Sequence, residues 1–235
     1  KLTVLIVLST LSVSVFAHPD LVLQIESLDV QIKSSPTNTE LLIKRGDLYR
    51  RHESYPAAAS DFATARKIDP DNSLLDFYEG HLLFDAGDFE AAELHFKKYL
   101  TNYSEHAKAW GLRGETAIRL KNPESAATYF ANAITHAQSP SPALYRSQIL
   151  SLVSIGQSRW EDASQVAEQG LEHFGLEVSL LGLGIDIALA DKQPHKAMQY
   201  LGTLPEPLRT LKQWQQRLQT TNCLASTNTE ASDHC

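Results

Sequence analysis

The sequence predicts an all-α fold of stacked antiparallel helix pairs, an α-solenoid, and three observations carry that expectation. Gly46, Gly80 and Gly114 recur every 34 residues, and Ala58, Ala92 and Ala126 keep the same spacing, as do Phe62, Phe96 and Phe130. Inside each period the apolar residues fall at helical intervals, as with Leu42, Gly46 and Tyr49 and then Ala58, Phe62 and Ala65. Strand signals are weak: no Asn-Gly or Asp-Gly joins alternating runs, and no period of two is sustained. A fixed period of this size marks supersecondary units that bury their apolar faces only by stacking on their neighbours.

Residues 1–17 read as a signal peptide. One Lys precedes an apolar run from Leu2 to Phe16, and Val15-Phe16-Ala17 followed by His18 fits cleavage after Ala17. The run is shorter than the roughly 20 residues of a spanning helix. Residues 18–38 form an N-terminal packing helix, because Leu21, Ile25, Leu28 and Ile32 share one face before Ser34-Ser35-Pro36 stops it. Residues 39–140 hold three well-formed units. In the first, Pro56 opens the second helix, Asp69-Pro70 ends it, and Asn72 or Ser73 caps the next. In the second the turn is Gly87-Asp88, with the helix starting at Phe89. In the third, Asn122 caps, Pro123 takes the first helical position, and Glu124 favours the positive helix end.

Residues 141–204 hold two degenerate units. Trp160, Ala163, Ala167 and Gly170 mimic a second helix displaced by about three residues, and a longer first helix over 141–155 absorbs the insertion. Gly184, Pro194, Ala197 and Leu201 take the helical roles in the last unit. A capping helix is expected over 205–219, its Gln213, Gln215, Gln216 and Gln219 suiting a polar end face, and a disordered tail over 220–235.

These residues resemble the tetratricopeptide repeat, whose pattern runs from an early Trp or Leu through Gly, Tyr, Ala, Phe and Ala to a late Pro. Leu42, Gly46, Tyr49, Ala58, Phe62, Ala65 and Pro70 match it in the first unit, and Trp110, Gly114, Ala126, Phe130 and Ala133 in the third. The second keeps Gly80, Ala92 and Phe96. The resemblance implies a tetratricopeptide-repeat superhelix whose first helices line a concave groove for peptides or partner segments. Carried over by position, the groove residues are Lys44, Asp47, Tyr78, His81, Lys108, Glu115, Arg119 and Tyr145. Asp47, His81 and Glu115 stand 34 apart and should form one polar column. A subclass of the family clamps the terminal carboxylate of chaperones. The matching places here hold Ile43, Asp47, Tyr78, Lys108 and Leu112, so only Lys108 agrees, and Asp47 would repel a carboxylate.

The net charge is −7, and one unit more negative once Lys1 leaves with the signal segment. Such a chain is poorly matched to nucleic acid or anionic membrane, which attract basic surfaces. Lys44-Arg45 with Arg50-Arg51 reads as a solvated helix face. The two cysteines, Cys223 and Cys235, form either a disulfide within the tail or free or intermolecular thiols; neither arrangement is a C-x-x-C redox site. His81 and Asp85, at i and i+4, could reach one metal ion if Glu115 stretched to complete it, and His18 would be the new amino terminus. Nucleophile-elbow, zincin, Walker and dinucleotide motifs are all missing from the sequence. The expectation is an exported, periplasmic or secreted, non-enzymatic scaffold that takes a protein or peptide partner, without cofactor, nucleic acid or membrane after signal cleavage. The alternatives are a metal-binding or enzyme-accessory protein and a self-assembling structural subunit.

Overall fold

A computed structural model describes residues 19–226, and all regular structure among them is helical. The chain divides into a first unit ending at Tyr78 and a second starting at Glu79. The signal-peptide reading of 1–17 and His18 lie outside the described residues, and no helix among those described is long and apolar enough to cross a membrane.

The first unit contains α1 (Pro19–Ser34), α2 (Thr39–Arg51), α3 (Tyr55–Ile68) and the start of α4 (Ser73–Ala86). Local chemistry sets each boundary. The Asn38 side chain accepts the Glu40 and Leu41 N–H groups at 3.1 and 3.3 Å, and Asn72 accepts that of Leu74 at 3.1 Å. Phe62 is buried between α2 and α3 and lies so close to Gly46 that any Cβ there would overlap its ring. Leu21 and Ile25 of α1 pack on Leu48 of α2, the arrangement expected for the N-terminal helix.

Arg45 does not sit on a solvated face. Its guanidinium donates to Asp61 at 2.8 and 2.6 Å and to Asp29 at 2.7 Å, tying α2 to both α3 and α1. The bond to Asp61 raises its pKa well above the usual guanidinium range. Arg50 likewise folds back on Asp47 at 2.9 Å. Arg45 and Arg50 are therefore internal wiring while Lys44 and Arg51 stay exposed, and the Arg45 pairing is invisible to a sequence reading because Asp29 and Asp61 each lie 16 positions away.

The second unit continues α4 and adds α5 (Phe89–Asn102), α6 (Ala107–Arg119), α7 (Pro123–His136), α8 (Pro142–Ile155), α9 (Trp160–Phe174), α10 (Val178–Ala190) and α11 (Pro194–Gly202). The Asp88 and Asn122 side chains accept the Ala91 and Ser125 N–H groups at 3.1 and 3.0 Å, as N-caps should. Phe96 and Phe130 repeat the role of Phe62, each facing the glycine 16 positions before it. Arg113 of α6 donates to Glu93 of α5 at 2.9 and 2.6 Å, and its guanidinium lies 4.1 Å from the Tyr129 ring centroid of α7.

The displaced register beyond Pro140 has a different physical origin from the one expected. Helix α8 is 14 residues long, no longer than α4 or α7. Its buried Tyr145, Ile149 and Leu152 match Trp110, Gly114 and Ala117 at a spacing of 35, so one extra residue lies before α8. The other two fall at Gly156, with φ 129°, and the 3-10 turn Gln157–Arg159. Loops, not a lengthened helix, absorb the insertion.

The C-terminal end also departs from expectation. A single turn, α12 (Glu206–Arg209), precedes α13 (Lys212–Ser226), and Arg209 holds the break by donating to the carbonyls of Leu204 and Gly202 at 2.7 and 2.8 Å. Helix α13 runs six residues past the expected disorder point at Thr220, because Trp214 buries against Leu181, Ile185, Leu201 and Leu204 and Thr221 is fully enclosed. Its glutamines decorate a helix anchored by tryptophan. Cys223 lies on α13 in a disulfide, and Cys235 lies outside the described residues.

Candidate partner-binding surface

In the first unit, three of the expected groove residues come together. Lys44 and Asp47 of α2 and Tyr78 of α4 line an open depression of about 360 Å³, completed by Leu48 and by Gln24, Ser27 and Leu28 of α1. Helical spacing puts Lys44, Asp47 and Leu48 on one side of α2, and α1 supplies a wall that the sequence pattern did not assign to the site. Tyr78 is held by aromatic neighbours, with the Phe77 and Phe62 ring centroids at 5.3 and 6.1 Å. Burial raises its phenol pKa, and Asp47 raises it further, against the opposing pull of Arg50 and Lys44. Lys44 pairs with Glu40 at 2.7 Å in an exposed i,i+4 bridge, which holds little energy and yields easily to a partner's carboxylate. The depression therefore offers a phenol, a carboxylate, an ammonium and a carboxamide around two leucines, the mixed lining of a recognition site.

In the second unit, His81 is half-buried on α4 and Lys108, Glu115 and Arg119 lie on the exposed side of α6. Enclosure by surrounding protein raises the Glu115 pKa despite its exposed edge; Arg119 works against that shift and Asp85 of α4 adds to it. Arg119 also places its guanidinium 5.1 Å from the Phe89 ring centroid. Glu115, Arg119 and Asp85 thus form one electrostatic group across α4 and α6. The expected column of Asp47, His81 and Glu115 is divided between the units, with Asp47 in the first and the other two in the second. Among the described residues no third ligand joins His81 and Asp85 within metal-binding distance.

Tyr145 is not a groove residue. It is 7% exposed, packed against Gly170 and facing His173 and Phe174 of α9. At a spacing of 35, Tyr145 matches Trp110 and Leu150 matches Glu115, while at a spacing of 34 Tyr145 would match Gly111 and Phe77, which are buried as well. Leu150 is accordingly exposed and, with Ile118 of α6, borders a second cavity of about 440 Å³. Neither stands out in the sequence, although Ile118 keeps 34-residue spacing with Phe84 and Arg50 on the same side of their helices.

Taken together, the units define an all-helical repeat protein in which a Gly-Phe-Ala layer spaces the helix pairs and the first helix of each pair carries the accessible chemistry. The family profile described as Tetratricopeptide repeat matches residues 43–104 and 77–142. Among curated proteins no sequence relative reaches significance. Solved structures with the same fold include PilF of Pseudomonas aeruginosa, 16% identical over 84% of this chain and 89% of that one, at a TM-score of 0.63. YrrB, described as a tetratricopeptide-repeat protein with an unusual peptide-binding site, is 14% identical over 76% and 91%, at 0.63. PilW, described as a widely conserved type IV pilus biogenesis factor, is 20% identical over 85% and 91%, at 0.60. At such identities the likeness concerns the fold.

Proposed function

We propose that this chain is a non-catalytic interaction scaffold that binds a segment of a protein partner on the faces of its first helices. The observation that carries the reading is the depression of about 360 Å³ where Lys44, Asp47 and Tyr78 converge with α1. Its polar groups are preorganised on rigid helices, which lowers the ordering cost of capturing a flexible segment. Peptide binding by YrrB supports the reading by analogy of fold. The partner is met after export, directed by the apolar segment Leu2–Phe16 with cleavage between Ala17 and His18.

The test is photo-crosslinking in the native host. A benzoylphenylalanine replacing Tyr78 should capture a discrete partner, and one replacing Leu94, 67% exposed on α5, should not. Equal capture at both positions would refute the assignment of the binding face. Amino-terminal sequencing of the recovered chain should begin at His18, and a chain that keeps Leu2–Phe16 would refute cleavage at this point.

A further inference from the structure

We propose that the cavity between α6 and α8 is an anchor subsite for a partner segment carrying a bulky aliphatic side chain with a carboxylate close beside it. The inference rests on the scaffold reading above and adds the chemistry of a second contact point. The cavity, of about 440 Å³, is lined by Ile118 and Lys121, by Asn122 and Pro123 of the following turn, and by Leu150, Ser151 and Ser154.

Its interior is apolar in effect. Ile118 and Leu150 are each 46% exposed, an arrangement unfavourable in water and reversed when an apolar group enters. The two serine hydroxyls and the Asn122 side-chain oxygen of the lining are turned to the backbone. Ser151 and Ser154 donate their hydroxyls to the carbonyls of Ser147 and Leu150, both at 2.7 Å, and the Asn122 side chain accepts the Ser125 N–H at 3.0 Å. A polar ligand would gain little there, whereas an aliphatic side chain gains by leaving water.

Charge sets the remainder of the specificity. Lys121 is the charged residue of the lining, and its left-handed backbone, with φ 57°, places it in the turn just beyond α6. Glu115, one turn before Ile118 on α6, lies outside the lining and faces the opposing charge of Arg119. A carboxylate therefore belongs beside Lys121. The charge term orients the segment and the apolar anchor holds it.

A phage-displayed library of random twelve-residue peptides, selected on the full chain, provides the probe, with anisotropy of labelled synthetic copies as the readout. The expected peptides pair Leu, Ile or Val with Asp or Glu within two positions. Ile118→Ser and Leu150→Ser should each weaken them at least tenfold with helical content unchanged. Lys121→Glu should weaken them and be rescued by peptides in which Lys replaces the acidic residue. Selected peptides that ignore Ile118→Ser and Leu150→Ser yet are lost with Tyr78→Ala would overturn this subsite and leave the scaffold reading standing. Basic residues in place of acidic ones would overturn the charge assignment. A library that yields no binding peptide would overturn both readings.

Discussion

Two glycines three residues apart on α6 should respond in opposite directions to the same substitution. A Cβ on Gly114 would lie 2.8, 2.9 and 3.0 Å from three carbons of the Phe130 ring, closer than packed carbons approach. That ring cannot retreat, because Phe130 is buried with Ala126 and Ala133 flanking it on α7. Overpacking of this kind costs about 1–3 kcal/mol. Replacing a mid-helix glycine by alanine returns about 1 kcal/mol through backbone entropy. Gly114→Ala is therefore expected to be neutral at best and destabilising by about 2 kcal/mol at worst. A Cβ on Gly111 would meet only Leu144 Cδ2 at 3.7 Å, an ordinary contact, so Gly111→Ala should gain up to about 1 kcal/mol. Urea unfolding measures both, with the midpoint moving and the slope constant. Phe130→Leu should be better tolerated in the Gly114→Ala background than in the parent chain, giving a favourable coupling in the double-mutant cycle. A Gly114→Ala protein as stable as Gly111→Ala would refute the claim that glycine here sets the distance between helices.

The Arg45 network yields an asymmetry between its two acids. Asp61 has a side chain 7% exposed and accepts two of the bonds, so Asp61→Asn leaves a guanidinium without its closest countercharge and should cost about 3 kcal/mol or more. Asp29 is 38% exposed and accepts one, and Asp29→Asn should cost under about 1 kcal/mol; equal losses in urea unfolding would contradict the division of roles. Glu115 predicts a pH effect. Its folded pKa is raised from the ordinary value near 4.5, so the folded chain holds this proton more tightly than the unfolded one. Its contribution therefore turns against folding as pH rises through the folded value. Glu115→Gln should raise the melting temperature at about pH 7.5 and lose that advantage near pH 4; a gain independent of pH would show that burial of the charge is not the cause.

What the sequence discloses follows from an intact period. Gly46, Gly114, Phe62, Phe96 and Phe130 occupy the tight layers expected of them, and Asp88 and Asn122 cap the helices that follow them. Such features are local or repeat in register, so spacing alone locates them. Lys44, Asp47 and Tyr78 converge for the same reason. The contribution of α1 to that site, and the pairing of Arg45 with Asp29 and Asp61, depend on tertiary partners that no period encodes. Helix α13 outruns its expected end because its glutamines and threonines look solvated in the sequence. Trp214 and Thr221, placed seven apart on one face, are what bury it.

The position of Leu150 shows how a single residue redirects a surface. Each residue added before a helix rotates its faces by about 100° relative to a fixed register. The extra residue ahead of α8 thus sets Tyr145 level with Trp110, packed against α9, and Ile149 takes the place that glycine holds in α6. The same rotation brings Leu150 to the register of His81 and Glu115, where the preceding helices present polar groups. A column that begins with titratable side chains consequently ends in leucine, opposite Ile118. The apolar cavity is a direct product of the slip. Were α8 held at a spacing of 34, Leu150 would fall on the fully buried position of Thr116, and the aliphatic wall of the cavity would be lost.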